Sequence, residues 1–226
     1  MKIQRLQQNI DAISTYTSAH AELREAHHFL YDLRFPPSAK PRFVVIGINP
    51  GERPADWLIS PKPTEETSRY DFHVELGVGR AALRWPRAAK FFLDGQAYVQ
   101  TELFFWSSKN MSEFRQRFGL LRESPHLEFC VSMNRSLMEF YEPQAVIFPG
   151  LTQSRLCARL FDLELLDTVR LQGVKLIERY WDGERSWLFT KHWTGSFGFS
   201  NPQRAAVRDY ILACQFERLK ELVPPG

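Results

Sequence analysis

Three polar side chains stand within or just after apolar runs of this sequence. Asn49 follows Phe43-Val44-Val45-Ile46-Gly47-Ile48. Glu102 sits inside Tyr98-Val99-Gln100-Thr101-Glu102-Leu103-Phe104-Phe105-Trp106. His192 follows Ser186-Trp187-Leu188-Phe189-Thr190-Lys191. An amide both donates and accepts hydrogen bonds, an ionised carboxylate only accepts, and an imidazole N–H donates. The chemistry open to such a set is recognition of a polar ligand by matched donors and acceptors, and stabilisation of charge that develops during a reaction.

The elements around these residues decide whether they can meet. Phe43-Val44-Val45-Ile46 is a short apolar run rich in β-branched and aromatic types, which predicts a strand buried on both faces of a parallel sheet. Gly47, Ile48, Asn49, Pro50 and Gly51 follow. Pro50 fixes its own φ and biases Asn49 towards an extended conformation, so the chain presents one amide in a constrained turn. In open α/β sheets, ligands sit beyond the carboxyl ends of the strands. The plain alternative is a tight strand-to-loop turn with Asn as a turn former. The loop has neither the spacing of a dinucleotide fingerprint nor the Lys of a phosphate-binding loop. Glu102 is unusual in its apolar setting, because an unpaired carboxylate is rarely buried. A solvated edge position or an ion pair with a nearby arginine is the competing reading.

The 226 residues suit one well-packed α/β domain spanning 1–226. Hydrophobic residues at 44% and aromatics at 14% supply a large core and argue against disorder. A net charge of +3 permits an anionic partner without requiring one. No apolar run is long enough for a transmembrane helix, and Met1 to Ser14 lacks the apolar core of a secretory signal, so no membrane partner and a cytoplasmic location are expected. Cys130, Cys157 and Cys214 are far apart and form no CxxC or Cys/His cluster, so no metal site or other cofactor is expected.

Taken in order, residues 4–34 read as helix, with Leu6, Ile10, Ile13, Tyr16, Ala19, Leu23, Phe29 and Leu33 as an apolar stripe. Residues 52–79 form a long polar region, which in a domain of this size is functional or mobile. Its Trp57, Tyr70 and Phe72 either cover a site or pin the loop to the core. Arg80 to Leu93 reads as a helix with a basic face and a break or restart at Pro86. Tyr98–Trp106 is a second strand, and Ser124-Pro125 opens a helix to Tyr141. Ala145–Phe148 is a third strand, and Thr152–Phe161 is a helix. Val174–Tyr180 and Ser186–Thr190 are strands flanking an Asp182-Gly183 turn signal. Asn201-Pro202 opens a last helix, to about Val223. Strands alternating with helices predict a three-layer α/β/α sandwich around a central, mostly parallel sheet.

The segment Gly47-Ile48-Asn49-Pro50-Gly51 after a buried strand resembles the first motif of the uracil-DNA glycosylase superfamily, closest to its mismatch-specific uracil/thymine branch. His192 followed by a small-residue loop and a helix resembles the second motif, with Trp193-Thr194 where Pro-Ser stands in the family. The resemblance implies a glycosylase-like fold and a DNA partner. It implies that Asn49 positions the attacking water and that His192 contacts the base. The family commonly has an Asn on the second strand that reads uracil. Glu102 or a neighbour stands there in this chain, and a carboxylate suits the N4 amino group of cytosine. Some members of the superfamily excise glucosylated hydroxymethylcytosine in anti-phage defence, a substrate that fits this departure and the long 52–79 segment.

The expected enzyme is a monofunctional DNA glycosylase acting as a monomer on DNA, including phage DNA with modified bases. It would flip a base out of the stack. Asn49 and His192 would be catalytic. Gly47, Ile48, Pro50, Gly51, Glu102 and Tyr70 would line the base pocket. Arg80, Lys109, Lys191 and Thr194, with Gly195 and Ser196 beside a helix start, would contact DNA phosphates. Phe197 or Phe199 would wedge into the duplex, or simply pack in the core. The competing functions are a uracil/thymine mismatch glycosylase, a non-catalytic DNA-binding module of the same fold, and a hydrolase of free nucleosides.

Overall fold

The structure, a computed structural model, describes residues 2–24, 26, 40–49, 84–108, 110–194 and 199–213. Its centre is a six-stranded mixed sheet in the order β2-β1-β3-β6-β5-β4. The strands are β1 (Phe43–Gly47), β2 (Tyr98–Glu102), β3 (Ala145–Pro149), β4 (Glu164–Leu171), β5 (Val174–Trp181) and β6 (Ser186–Thr190). The pairs β1–β2, β1–β3 and β3–β6 are parallel, whereas β4–β5 and β5–β6 are antiparallel. The first four residues of β1 and every residue of β3 and β6 are buried. That matches strands covered on both faces and explains their uninterrupted apolar runs.

Alternate side chains of each strand enter different layers, because strand side chains alternate with period two. Val44, Ile46, Val99, Val146 and Phe148 face one layer. It contains α1 (Lys2–Ala19), α4 (Met111–Phe118), α5 (Leu127–Tyr141) and α6 (Ser154–Phe161). Phe43, Val45, Ala145, Ile147 and Leu188 face α3 (Arg84–Leu93) and α7 (Asn201–Ala213). A short turn of helix, α2 (Ala21–Arg24), follows α1. Helices therefore cover both faces of a mostly parallel sheet, an arrangement compatible with the expected three layers. No helix among the described residues is long and apolar enough to cross a membrane.

Several boundaries differ from the sequence expectation. One helix over 4–34 was expected; the first helix stops at Ala19, a short helix follows over Ala21–Arg24, and residues 25 and 27–34 lie outside the described residues. Thr17 and Ser18 turn their hydroxyls back onto the carbonyls of Ile13 and Ser14 (2.7 and 2.9 Å), a competition that weakens helices rich in Ser and Thr. The third helix is continuous through Pro86 over its described residues, Arg84–Leu93, and residues 80–83 lie outside the described residues. Strand β2 ends at Glu102; Leu103 and Phe104 still donate to the carbonyls of Gly47 and Ile48 before the chain turns away. Phe104, Phe105 and Trp106 are buried without being strand residues. Strand β4 was not expected. It is mostly exposed and lacks an apolar run, yet Gln172 and Gly173 form its hairpin turn with positive φ of 52° and 77°.

Asn134 in α5 fixes the end of β2. Fully buried, it donates from Nδ2 to the carbonyl oxygens of Glu102 (3.0 Å) and Cys130 (2.9 Å), and its Oδ1 accepts from the Thr101 hydroxyl (3.3 Å). Asn134→Leu keeps the branched shape of the side chain and strands these groups in an apolar layer. It is expected to lower stability by about 1–3 kcal/mol, seen as a lower urea midpoint with an unchanged slope. An unchanged midpoint would show that the clamp contributes nothing.

Candidate functional site

The parallel strands deliver their carboxyl ends to one edge of the sheet. Asn49 lies two residues beyond β1 and His192 two residues beyond β6, with β3 between those strands. Two strand spacings put the two exits about 10 Å apart. Glu102 ends β2 on the other side of β1, in register with Gly47. The expected sharing of one sheet edge is thus met in the backbone.

Glu102 is buried, and its side chain crosses the end of β1. A Cβ at position 47 would overlap its Oε2. Here the glycine is required for close approach of a neighbouring side chain. Period two places Gln100 on the same face as Glu102, and both are buried. Gln100 Nε2 donates to Glu102 Oε1 at 3.1 Å, while its own Oε1 accepts from the indole N–H of Trp85 in α3. Glu102 is not a solvated edge residue; it belongs to a polar row inside the layer formed by α3 and α7.

Asn49 is half-buried and donates from Nδ2 to the Ser108 hydroxyl at 2.9 Å. Ser108 in turn donates to the carbonyl of Asn110 at 3.2 Å. Asn110 caps α4, accepting on Oδ1 from the backbone N–H groups of Ser112 and Glu113. The amide of Asn49 is therefore oriented through a helix cap, with its nitrogen turned to Ser108.

His192 is open to solvent on one side, yet the protein around it lowers its pKa from the ordinary 6.5 through burial. Its Nδ1 accepts from the backbone N–H of Thr194 at 3.3 Å, and the Thr194 hydroxyl lies 3.2 Å from the same nitrogen. A backbone N–H can only donate, so Nδ1 is unprotonated and the neutral ring carries its proton on Nε2. The result is a neutral N–H donor. The ring of Trp85 lies 6.3 Å from that of His192, tilted by 51°. Trp85 also stacks on Trp193 (5.4 Å, 22°), which stacks on Phe92 (4.9 Å, 20°).

Of the other expected site residues, Ile48 is half-buried against the α1/α5 layer and Thr194 orients His192. The Lys191 ammonium lies over the ring of Phe199 at 5.6 Å, and Phe199 stacks on Phe92. Pro50, Gly51, Tyr70, Arg80, Lys109, Gly195, Ser196 and Phe197 lie outside the described residues. Among the described residues, no group of three or more His, Cys, Asp and Glu is placed to hold a metal ion.

Among known proteins, no family model and no curated sequence matches this chain.

Sequence reading passed over Gln100, Trp85, Ser108 and Asn134. A signal existed for Gln100: two polar residues at spacing two in an apolar strand must share a face. Trp85, Ser108 and Asn134 had none, since each acts through a long-range contact.

The His192 geometry predicts a titration. In ¹⁵N NMR, the ring should be the Nε2–H tautomer at neutral pH and should protonate only below pH 6.5, the direction set by burial. A midpoint at or above 6.5, or an Nδ1–H tautomer, would contradict it.

Proposed function

We propose that this chain is a DNA glycosylase that flips a base out of DNA and hydrolyses its N-glycosidic bond, and that the base is a modified cytosine. The observation that carries this reading is the arrangement at one sheet edge. An oriented amide, a neutral imidazole donor and a buried carboxylate follow three strands that run parallel. Glycosidic cleavage calls for such groups: one to hold water at C1′, one to stabilise charge on the leaving base, one to recognise the base.

In this mechanism the extruded nucleotide enters the crevice beyond β1, β3 and β6. The bond between C1′ and the base nitrogen breaks with its electron pair leaving on the base. The sugar becomes oxocarbenium-like. His192 donates Nε2–H to a base oxygen as negative charge grows there, a preorganised interaction stronger in the transition state than in the ground state. A neutral donor suits this role because it gives up no proton of its own. Asn49, whose amide is oriented through Ser108, holds the water and aims it at C1′. The water adds to C1′, sheds a proton to solvent, and leaves an abasic site.

Glu102 determines the base. Its carboxylate accepts from the N4 amino group of cytosine, whereas uracil and thymine would set a carbonyl oxygen against it. Glucosylated hydroxymethylcytosine keeps that amino group, and excision from phage DNA would be a defensive activity.

Asn49→Ala tests the chemistry. The side chain lies past the strand end and outside the core, so the fold and DNA affinity should persist. Formation of alkali-labile sites should fall by about 10²-fold or more, as expected when a reacting water loses its position. Undiminished activity in the variant would remove Asn49 from the mechanism.

A further inference from the structure

We propose that the outer face of α3 and α7 is a track for single-stranded DNA leading away from the crevice at His192, with a base stacked on Phe91 and phosphates held by Arg87 and Arg208. This rests on the glycosylase reading only in taking the crevice as the place where the target base enters.

The aromatic and basic residues of this face form a continuous series. Trp193, next to His192, stacks on Phe92, and Phe92 stacks on Phe199 at 5.8 Å. Arg204, in the first turn of α7, sits among three rings. Its guanidinium carbon lies 5.1 Å from the centroid of Phe92, 5.3 Å from that of Phe91 and 5.6 Å from that of Phe199. Its Nη1 also donates to the Trp193 carbonyl at 3.1 Å. Arg204 therefore ties the loop that carries His192 to α3. Farther along α7, Arg208 lies over the Phe91 ring at 5.6 Å, and at the crevice end Lys191 lies over Phe199 at 5.6 Å. Arg204 and Arg208 are four residues apart, as are Arg87 and Phe91, so each helix sets its pair on one face.

Phe91 decides what such a face can bind. It is 39% exposed, whereas the neighbouring Phe92 is fully buried. A solitary exposed aromatic needs no explanation. This one is flanked by two guanidiniums, in a series that begins at the crevice. A nucleotide outside a duplex offers a π face to the ring and a phosphate to the cations, so stacking and charge act on the same unit. In a duplex the bases stack on one another, and only the backbone would meet this face. Of the acids on these two helices, Asp94 accepts from Arg208 at 2.7 Å, and Asp209 is exposed at the next position. Arg87, Lys191, Arg204 and Arg208 outnumber them, which gives the face the sign that a phosphate backbone requires.

Fluorescence anisotropy titrations compare a labelled single strand with a blunt duplex of the same sequence. The native protein should bind the single strand more tightly. Phe91→Ala should weaken single-strand binding by about fivefold to a hundredfold, the value of one base stacked on an aromatic ring, and leave the duplex within about twofold. Phe91→Trp, which supplies a larger ring, should keep the single-strand affinity. Arg87 is exposed, and Arg87→Gln should reduce the salt slope for the single strand by about 0.7, the share of one phosphate contact. A native protein that binds the duplex at least as tightly overturns the proposal. So does a Phe91→Ala protein that loses affinity for both forms equally or for neither, and so does an unchanged salt slope in Arg87→Gln. The two readings fail separately. Base release by a protein that binds both forms alike defeats the track and leaves the glycosylase. The expected affinities with no base released from any DNA defeat the glycosylase and leave the track.

Discussion

The carboxylate of Glu102 occupies the space that a side chain at position 47 would need. That single close approach constrains much of the surrounding structure. It demands glycine at the end of β1, and it demands that β1 and β2 pair in the register that sets Gly47 opposite Glu102. A slip by one residue would turn Glu102 into the apolar layer beneath α5 and bring Thr101 to the other face. Asn134 guards against this from below, by holding the carbonyl of Glu102 and the hydroxyl of Thr101 together. Gln100 and Trp85 hold the carboxylate from the other face. Gln100 gives the buried carboxylate a hydrogen bond, and Trp85 in α3 holds Gln100 in turn.

The remaining parts of the site are arranged around that anchor by topology. Parallel strands bring their exits to one edge, and each exit is then stiffened locally. A helix cap at Asn110 orients Asn49 through Ser108. The turn at Thr194 orients His192. The aromatic column of Trp85, Trp193 and Phe92 ties the α3 layer to the loop after β6. Asn49 and His192 are thus each held from beyond their strands, by Ser108 and Thr194, whereas Glu102 is held by Gln100 of its own strand. That division lets the sheet set their spacing while the loops set their direction.

The buried strands were legible because burial on both faces writes itself as an unbroken apolar run, as in Phe43–Ile46 and Ala145–Phe148. Strand β4 was not, because Glu164, Leu165, Leu166 and Asp167 are all exposed and show no alternation to read. The aromatic run Phe104-Phe105-Trp106 misled in the opposite direction. It is core that turns back to meet α1, where the Trp106 indole donates to Thr17. The placement of Asn49 and His192 at one edge followed from the order of strands and needed no coordinates. The orientation of Asn49 by Ser108 and of His192 by Thr194 did need them, since hydrogen-bond direction is not encoded in residue spacing. Gln100 was readable and was passed over: its spacing from Glu102 alone puts two buried polar groups on one face.

The most direct measurement is the identity of the base that the native protein sets free. Matched duplexes bearing cytosine, uracil or glucosylated hydroxymethylcytosine at one position would be incubated with it, and released bases identified by mass spectrometry. The account predicts a free cytosine-type base together with an abasic site in the strand. Release of uracil in preference to every cytosine derivative would contradict the role given to Glu102, and intact DNA in all three would contradict the enzyme.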